Sequence, residues 1–217
     1  LLCSDAQSSI HIPSYQKIAR LIAPLAKRTQ LGIVIGGGNL FRGQQGTDLG
    51  LSKTRSDQIG MLGTIINALL LQQALLQENS PTHVMSAVSS EFCETFKNEK
   101  ANNYLENGNT LIFAGGTGHP YFTTDSAAAL RACEIQADIL IKATKVDGVY
   151  DKDPVKHSNA KRFEKLSFNE AIDLNLRVLD QTAFALCRDN SIPIRVLDLF
   201  QEDLAYAIMD TSYGTLI

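Results

Sequence analysis

The 217-residue chain predicts an α/β domain: a mostly parallel sheet sandwiched between helices. Three observations carry that expectation. Short β-branched runs alternate with longer helical patterns along the chain, which is how parallel strands with crossover helices read. Two of the strand-like runs end in glycines, at Gly36-Gly37-Gly38 and at Gly115-Gly116-Thr117-Gly118, and each leads towards a helix. With 44% hydrophobic and 20% charged residues, the chain can build a sizeable core and does not read as disordered.

The elements follow in order. Ile18, Leu21, Ile22 and Leu25 fall at i, i+3, i+4 and i+7, which predicts a helix over residues 14–27, with Pro24 as a source of a kink. "LGIVIGGG" reads as a buried strand running into a turn. Ser56 and Asp57 look like the start of a long apolar helix that ends near Asn79-Ser80-Pro81. The strand "HVMSAV" follows, then a polar helical stretch ending at Asn107-Gly108. "TLIFAGG" is a strand, residues 126–136 a helix and "DILIKAT" a strand. Ser167 and Glu170 fit a capping box. A helix over residues 180–189, the strand "IPIRVLDL", a last helix and "YGTLI" close the chain. No linker, repeat or low-complexity segment interrupts residues 1–217, so one domain is expected.

Composition excludes several classes. A net charge of −3 argues against general nucleic-acid binding, which needs a basic face. The longest mostly apolar run, residues 59–71, contains Asn67 and is shorter than the roughly 20 residues of a bilayer span, and no signal peptide is visible, so a cytoplasmic protein with no membrane partner is expected. Cys3, Cys93, Cys133 and Cys187 are scattered without a C-x-x-C pair and are expected as reduced, mostly buried thiols. The four histidines are equally dispersed, so no zinc site is expected.

In parallel sheets, ligands bind beyond the carboxyl ends of the strands. Glycines there let a ligand approach the backbone amides, and successive amides make an anion-binding nest at a helix start. Either turn alone needs no ligand. Both together, with Arg42 and Lys142 nearby in pattern, predict two phosphate-bearing ligands or two ends of one. The sequence holds no G-x-x-x-x-G-K-[ST], no complete G-x-G-x-x-G and no protein-kinase motif set. Phosphoryl transfer needs two substrates in line and cationic groups on the moving charge. Arg42 can fork onto phosphate oxygens, and Lys142 and Lys145 flank Thr144 at a strand end. Asp125, after Thr123-Thr124, is either a plain helix-start residue or the group that orients a phosphate-binding lysine or a magnesium ion. Asp147, Asp151 and Asp153 are either solvated loop charges or contacts to a ribose and a metal.

Four blocks, "VIGGGNLFRG", "DQIGMLGTIINALLLQQAL", "GGTGHPYFTTDSAAALRA" and "IKATKVDGVYDKDP", occur in order. Together they resemble the bacterial uridylate kinases of the amino-acid-kinase fold family, from about residue 31 to the end of the chain. The resemblance implies phosphoryl transfer from ATP to UMP with Mg2+. It implies that Gly37 contacts UMP and that Asp57 holds its nucleoside part. Thr117, Gly118, His119, Pro120, Tyr121, Phe122, Thr123 and Thr124 would wrap UMP. Gly38 and Arg42 would face the phosphates where the nucleotides meet, with Arg42 and Asp125 catalytic. Thr144, Tyr150 and Asp153 would line the ATP pocket, with no metal site built by protein groups alone. The family's hexamers imply a homo-oligomer, and the apolar helix after Gln58 has surface to spare for a partner.

Two departures qualify the resemblance. The family has an early strand ending in a Lys-Leu-Ser-Gly-Glu-like turn, whose lysine reaches the transferring phosphate. Here no lysine precedes Lys17, and only Leu1-Leu2 can be a remnant of that strand. The chain starts without methionine, so that strand and turn are expected to be missing from this sequence. His119 stands where the family usually has asparagine, which predicts a change in affinity without loss of function. Two other readings stay open: a kinase of the same fold acting on a carboxylate or carbamate, and a non-catalytic nucleotide-binding module.

Overall fold

The structure is a computed structural model that describes Leu2 and residues 10–176, 178–200, 204–210 and 212–217. Leu1 and Cys3, both invoked above, lie outside the described residues.

Helix α1 (Ile12–Ala26) begins with Pro13 in its first turn, where a missing amide costs nothing. Pro24 sits inside its last turn and the helix still runs to Ala26. Strand β1 (Gly32–Val34) leads into the first glycine turn, and a short helix α2 (Gly43–Asp48) follows that the sequence did not announce. Helix α3 (Lys53–Gln77) starts a turn earlier than expected. Ser52 is its cap, accepting from the Arg55 amide, and Ser56 and Asp57 lie inside the first two turns. Asn79, in the left-handed region at φ 55°, ends it.

The chain continues through β2 (Thr82–Ser86), β3 (Glu94–Thr95), α4 (Asn98–Glu106), β4 (Thr110–Ala114), α5 (Thr124–Glu134) and β5 (Leu140–Thr144). It closes with α6 (Phe168–Asp173), α7 (Gln181–Asp189), β6 (Ile194–Asp198), α8 (Leu204–Met209) and β7 (Thr215–Leu216). The Ser167–Glu170 capping box is formed as expected, and Asp180 caps α7 by accepting from the Ala183 amide at 2.9 Å.

Pairing is parallel throughout the set β1-β4-β2-β3 and between β5 and β6; among the described strands only β7 runs antiparallel, at the end of the set β5-β6-β7. Side chains alternate between two faces, as strand pleating requires. On one face Val84, Ile112, Ala114, Leu197 and Leu199 join α1 and α3 in a single core cluster, with Ile141 and Ala143 of β5 packed against it. One core layer therefore spans both strand sets. On the other face Met85, Leu111 and Phe113 meet α4, while Ile194 and Val196 meet α5, α6 and α7. Helices thus cover both faces, and the ends of β1, β4 and β5 open into the turns that carry the candidate site.

Helix α3 is the longest element and is apolar enough over 18 residues, with mean hydropathy 1.7, to match a membrane span by length and composition. The sequence run alone did not suggest that length. Its inward residues Ile65, Ala68, Leu71 and Leu75 are buried against the sheet and α1, so this is a core helix. Leu62, Ile66 and Leu76 remain exposed on its outer side. Of the described cysteines, all are free; Cys187 is buried, and burial pushes its thiol up to about 12, whereas Cys93 and Cys133 are only half-buried.

Candidate active site

The first glycine turn is held by a buried polar residue in the apolar helix. Asn67 of α3 is fully buried. Its amide nitrogen donates to the Gly36 carbonyl and to Asn39 Oδ1, both at 2.6 Å, and its oxygen accepts from the Tyr15 hydroxyl at 2.7 Å. A buried amide with its bonds satisfied fixes one geometry. The interruption of the apolar run by Asn67, legible in the sequence, marks this anchor.

The turn's glycines are not equivalent. A Cβ on Gly37 would lie 2.5 Å from the Gly60 carbonyl oxygen, so the turn is pressed against α3 there. A Cβ on Gly38 would meet nothing within 4 Å, so its backbone faces open space. Arg42, exposed at the start of α2, donates from Nε to the Gly38 carbonyl at 3.0 Å. A Cβ on Gly36 would lie 3.2 Å from Thr124 Oγ1, which brings the first turn against the start of α5.

The second turn follows β4. The Gly115 amide donates to Thr64 Oγ1 of α3 at 2.7 Å, and Gly115 and Gly116 both adopt positive φ. A Cβ on Gly116 would meet nothing within 4 Å, so the backbone there faces open space. The loop beyond is fixed by Asp57, whose Oδ2 accepts from the Tyr121 amide at 2.7 Å. Tyr121 is held at φ 71°, a conformation that costs an aromatic residue energy. Burial pushes the Asp57 carboxyl up, but hydrogen bonds from Lys53 and the Tyr121 amide, with the lysine charge, outweigh it and hold the group below its ordinary value.

Helix α5 joins this region to a cavity of about 940 Å³. Thr123 is its cap, accepting from the Asp125 and Ser126 amides, so the sequence expectation of a start at residue 126 was two residues late. Asp125 lines the cavity and forms an ion pair with Lys142 of β5, which lines it too. Asp125 is an acidic residue in the first turn of α5, and the same carboxylate is paired with Lys142. Thr144, Tyr150 and Asp153 also line this cavity. The Thr144 hydroxyl is engaged with Val146, the Tyr150 hydroxyl donates to Asp147 at 2.6 Å, and Asp153 accepts from the Val155 amide at 2.9 Å. Gly38 and Arg42 are not brought into the cavity's lining; they stay on the first turn. Lys17 is no substitute for the expected early lysine, because its ammonium lies 4.4 Å over the Phe200 ring.

Asp180 is the residue that sequence reading missed. It was legible only as a helix start. It also lines the cavity and accepts from the Thr123 hydroxyl and from Ser126 Oγ at 2.8 Å. One carboxylate therefore caps α7 and braces the cap of α5. Burial pushes it up, while the Thr123, Ala183 and Ser126 donors more than compensate and keep it below its ordinary value.

Among the described residues no group of three His, Cys, Asp or Glu side chains is placed to hold a metal ion. The donor set still fits magnesium carried on a nucleotide. Magnesium keeps several waters and takes one or two carboxylates with substrate phosphates, and Asp125 and Asp180 both face the cavity.

Two glycine turns at the ends of parallel strands, with the start of α5 between the first of them and the cavity, give the layout that phosphoryl transfer between two bound substrates needs. The chain belongs to the amino acid kinase family, whose profile matches residues 2–198. It is 50% identical over 186 residues to the uridylate kinase of Magnetococcus marinus, covering 85% of this chain and 77% of that one. It is 46% identical over 203 residues to the uridylate kinase of Methylococcus capsulatus, covering 93% and 85%. The crystal structure of UMP kinase from Ureaplasma parvum superposes with TM-score 0.93 at 36% identity, over 99% of this chain and 93% of that one. The UMP kinase of Bacillus anthracis gives TM-score 0.95 at 34% identity, over 100% and 91%.

Proposed function

We propose that this chain transfers the γ-phosphoryl group of ATP to UMP, giving ADP and UDP. The observation that carries the reading is adjacency at the start of α5: Thr124 touches the first glycine turn while Asp125, the next residue, lines the cavity. The acceptor and donor phosphates thereby meet at one helix N-terminus, where the peptide dipoles favour negative charge.

UMP sits along the glycine turns, with its nucleoside on Asp57 and its phosphate at Gly37, Gly38 and Thr124. The segment 117–124 closes over it. ATP occupies the cavity, its base beside Tyr150 and its phosphates towards Thr144 and Lys142. An oxygen of the UMP phosphate, ionised at neutral pH, attacks the γ-phosphorus in line, and the bond to the β–γ bridging oxygen breaks. No general base is required. Lys142, aimed by Asp125, and Arg42, aimed by the Gly38 carbonyl, put positive charge on the moving group. Asp125 or Asp180 would hold a magnesium ion carried on the phosphates, and that ion would supply further neutralisation of the donor's charge. A cytoplasmic location and assembly into an oligomer through the outer side of α3 go with this reading.

Asp125→Asn tests it in a coupled assay of ADP release with ATP and UMP. The carboxylate that aims Lys142 is lost, so kcat falls on the order of 10²-fold while the UMP KM changes by less than about threefold. Unchanged turnover removes Asp125 from the mechanism. Turnover of a carboxylate acceptor such as N-acetylglutamate, with none of UMP, overturns the substrate assignment.

A further inference from the structure

The first turn of α3 holds a lysine that the reaction scheme does not use. Lys53 Nζ contacts both carboxylate oxygens of Asp57, Oδ2 at 2.6 Å, and lies 5.7 Å over the ring of Tyr121. Tyr121 in turn donates its amide to the same Asp57 oxygen. The three residues close a loop of contacts between the start of α3 and the segment 117–124.

Helix physics gives no reason for a lysine there. The first helical position is the positive end of the dipole, where a cation is unfavourable. The pair also runs in the poorer direction, since an acid N-terminal to a base at i, i+4 is the better order. The lysine is 59% exposed while its partner is only 16% exposed. What Lys53 does approach, besides Asp57, is Tyr121, held at φ 71° and itself 70% exposed.

We infer that Lys53 is a positioning residue for the acceptor nucleoside: it holds the Asp57 carboxylate and the Tyr121 backbone in register, so that the pocket for the sugar and base is set before UMP arrives. The inference rests on the UMP reading and deepens it. Without Lys53, Asp57 keeps only the Tyr121 amide and turns freely, and the strained tyrosine loses its cationic cover. The cost falls on acceptor binding, because Lys53 does not line the cavity.

Lys53→Met and Lys53→Arg in the full chain test this, with steady-state kinetics for both substrates and calorimetric titration with UMP alone. Lys53→Met is expected to raise the UMP KM and dissociation constant about tenfold, with kcat and the ATP KM within about threefold of wild type. Lys53→Arg, which keeps the charge and the reach, is expected to restore UMP binding to within about threefold. UMP binding by Lys53→Met equal to that of the wild type overturns the inference, as does a loss confined to kcat or an arginine variant as weak as the methionine one. A wild-type chain that neither binds nor phosphorylates UMP overturns the functional reading itself, and this inference with it.

Discussion

Gly37 and Gly38 stand next to each other and answer to different constraints. At Gly37 an added methyl would press on the Gly60 carbonyl oxygen at 2.5 Å and on the Thr64 amide at 3.0 Å, backbone atoms that cannot give way. Gly37→Ala is therefore expected to lower stability by about 1–3 kcal/mol, read as a fall in Tm. Gly38→Ala should leave Tm within a degree or two, because the space is open, yet slow turnover by crowding the phosphates. Equal Tm losses would show that both glycines serve packing alone. Asn67 offers a second residue-scale test. Asn67→Leu keeps the branched shape of the side chain and deletes its hydrogen bonds to Gly36, Asn39 and Tyr15, so a loss on the order of 2–3 kcal/mol is expected. Thermal melts that match the wild type would show that the turn holds itself.

At the scale of elements, α5 and α7 start side by side with Asp180 between them. Its folded-state value is depressed, so the stability it contributes is present in full above about pH 4 and is lost as pH falls from there through the folded value. The Tm gap between wild type and Asp180→Asn should thus be wide at pH 7 and narrow near pH 3. A gap that is flat with pH would mean that the charge is irrelevant to the brace. The strands and long helices were legible in the sequence because apolar spacing decides them, as in "TLIFAGG" and in residues 18–25. The start of α3 was not, because Ser52 and Ser56 are equally good caps in isolation and tertiary contacts chose the first. Helix α2 lacked any apolar face to announce it. Tyr121, Asp125, Tyr150 and Asp153 could be named from local motifs and resemblance. The brace made by Asp180 could not, since Thr123 is 57 residues away, and Lys53 paired with Asp57 on its own helix gave no sign of Tyr121, whose amide reaches Asp57 from 64 residues on.

On the scale of the whole molecule, one core layer spans both strand sets, and the start of α5 lies between the first glycine turn and the cavity. That arrangement makes a direct hand-over possible. In the proposed reaction the donor and acceptor phosphates need no carrier on the protein.

The stereochemical course at phosphorus tests that claim most directly. With UMP and a donor made chiral at the γ-phosphorus by oxygen isotopes and sulfur, a single in-line transfer between neighbouring sites inverts the configuration in the UDP product. Inversion is the predicted result. Retention would require two successive transfers through a phosphorylated protein group, and the side-by-side arrangement of donor and acceptor would then not be how the reaction proceeds.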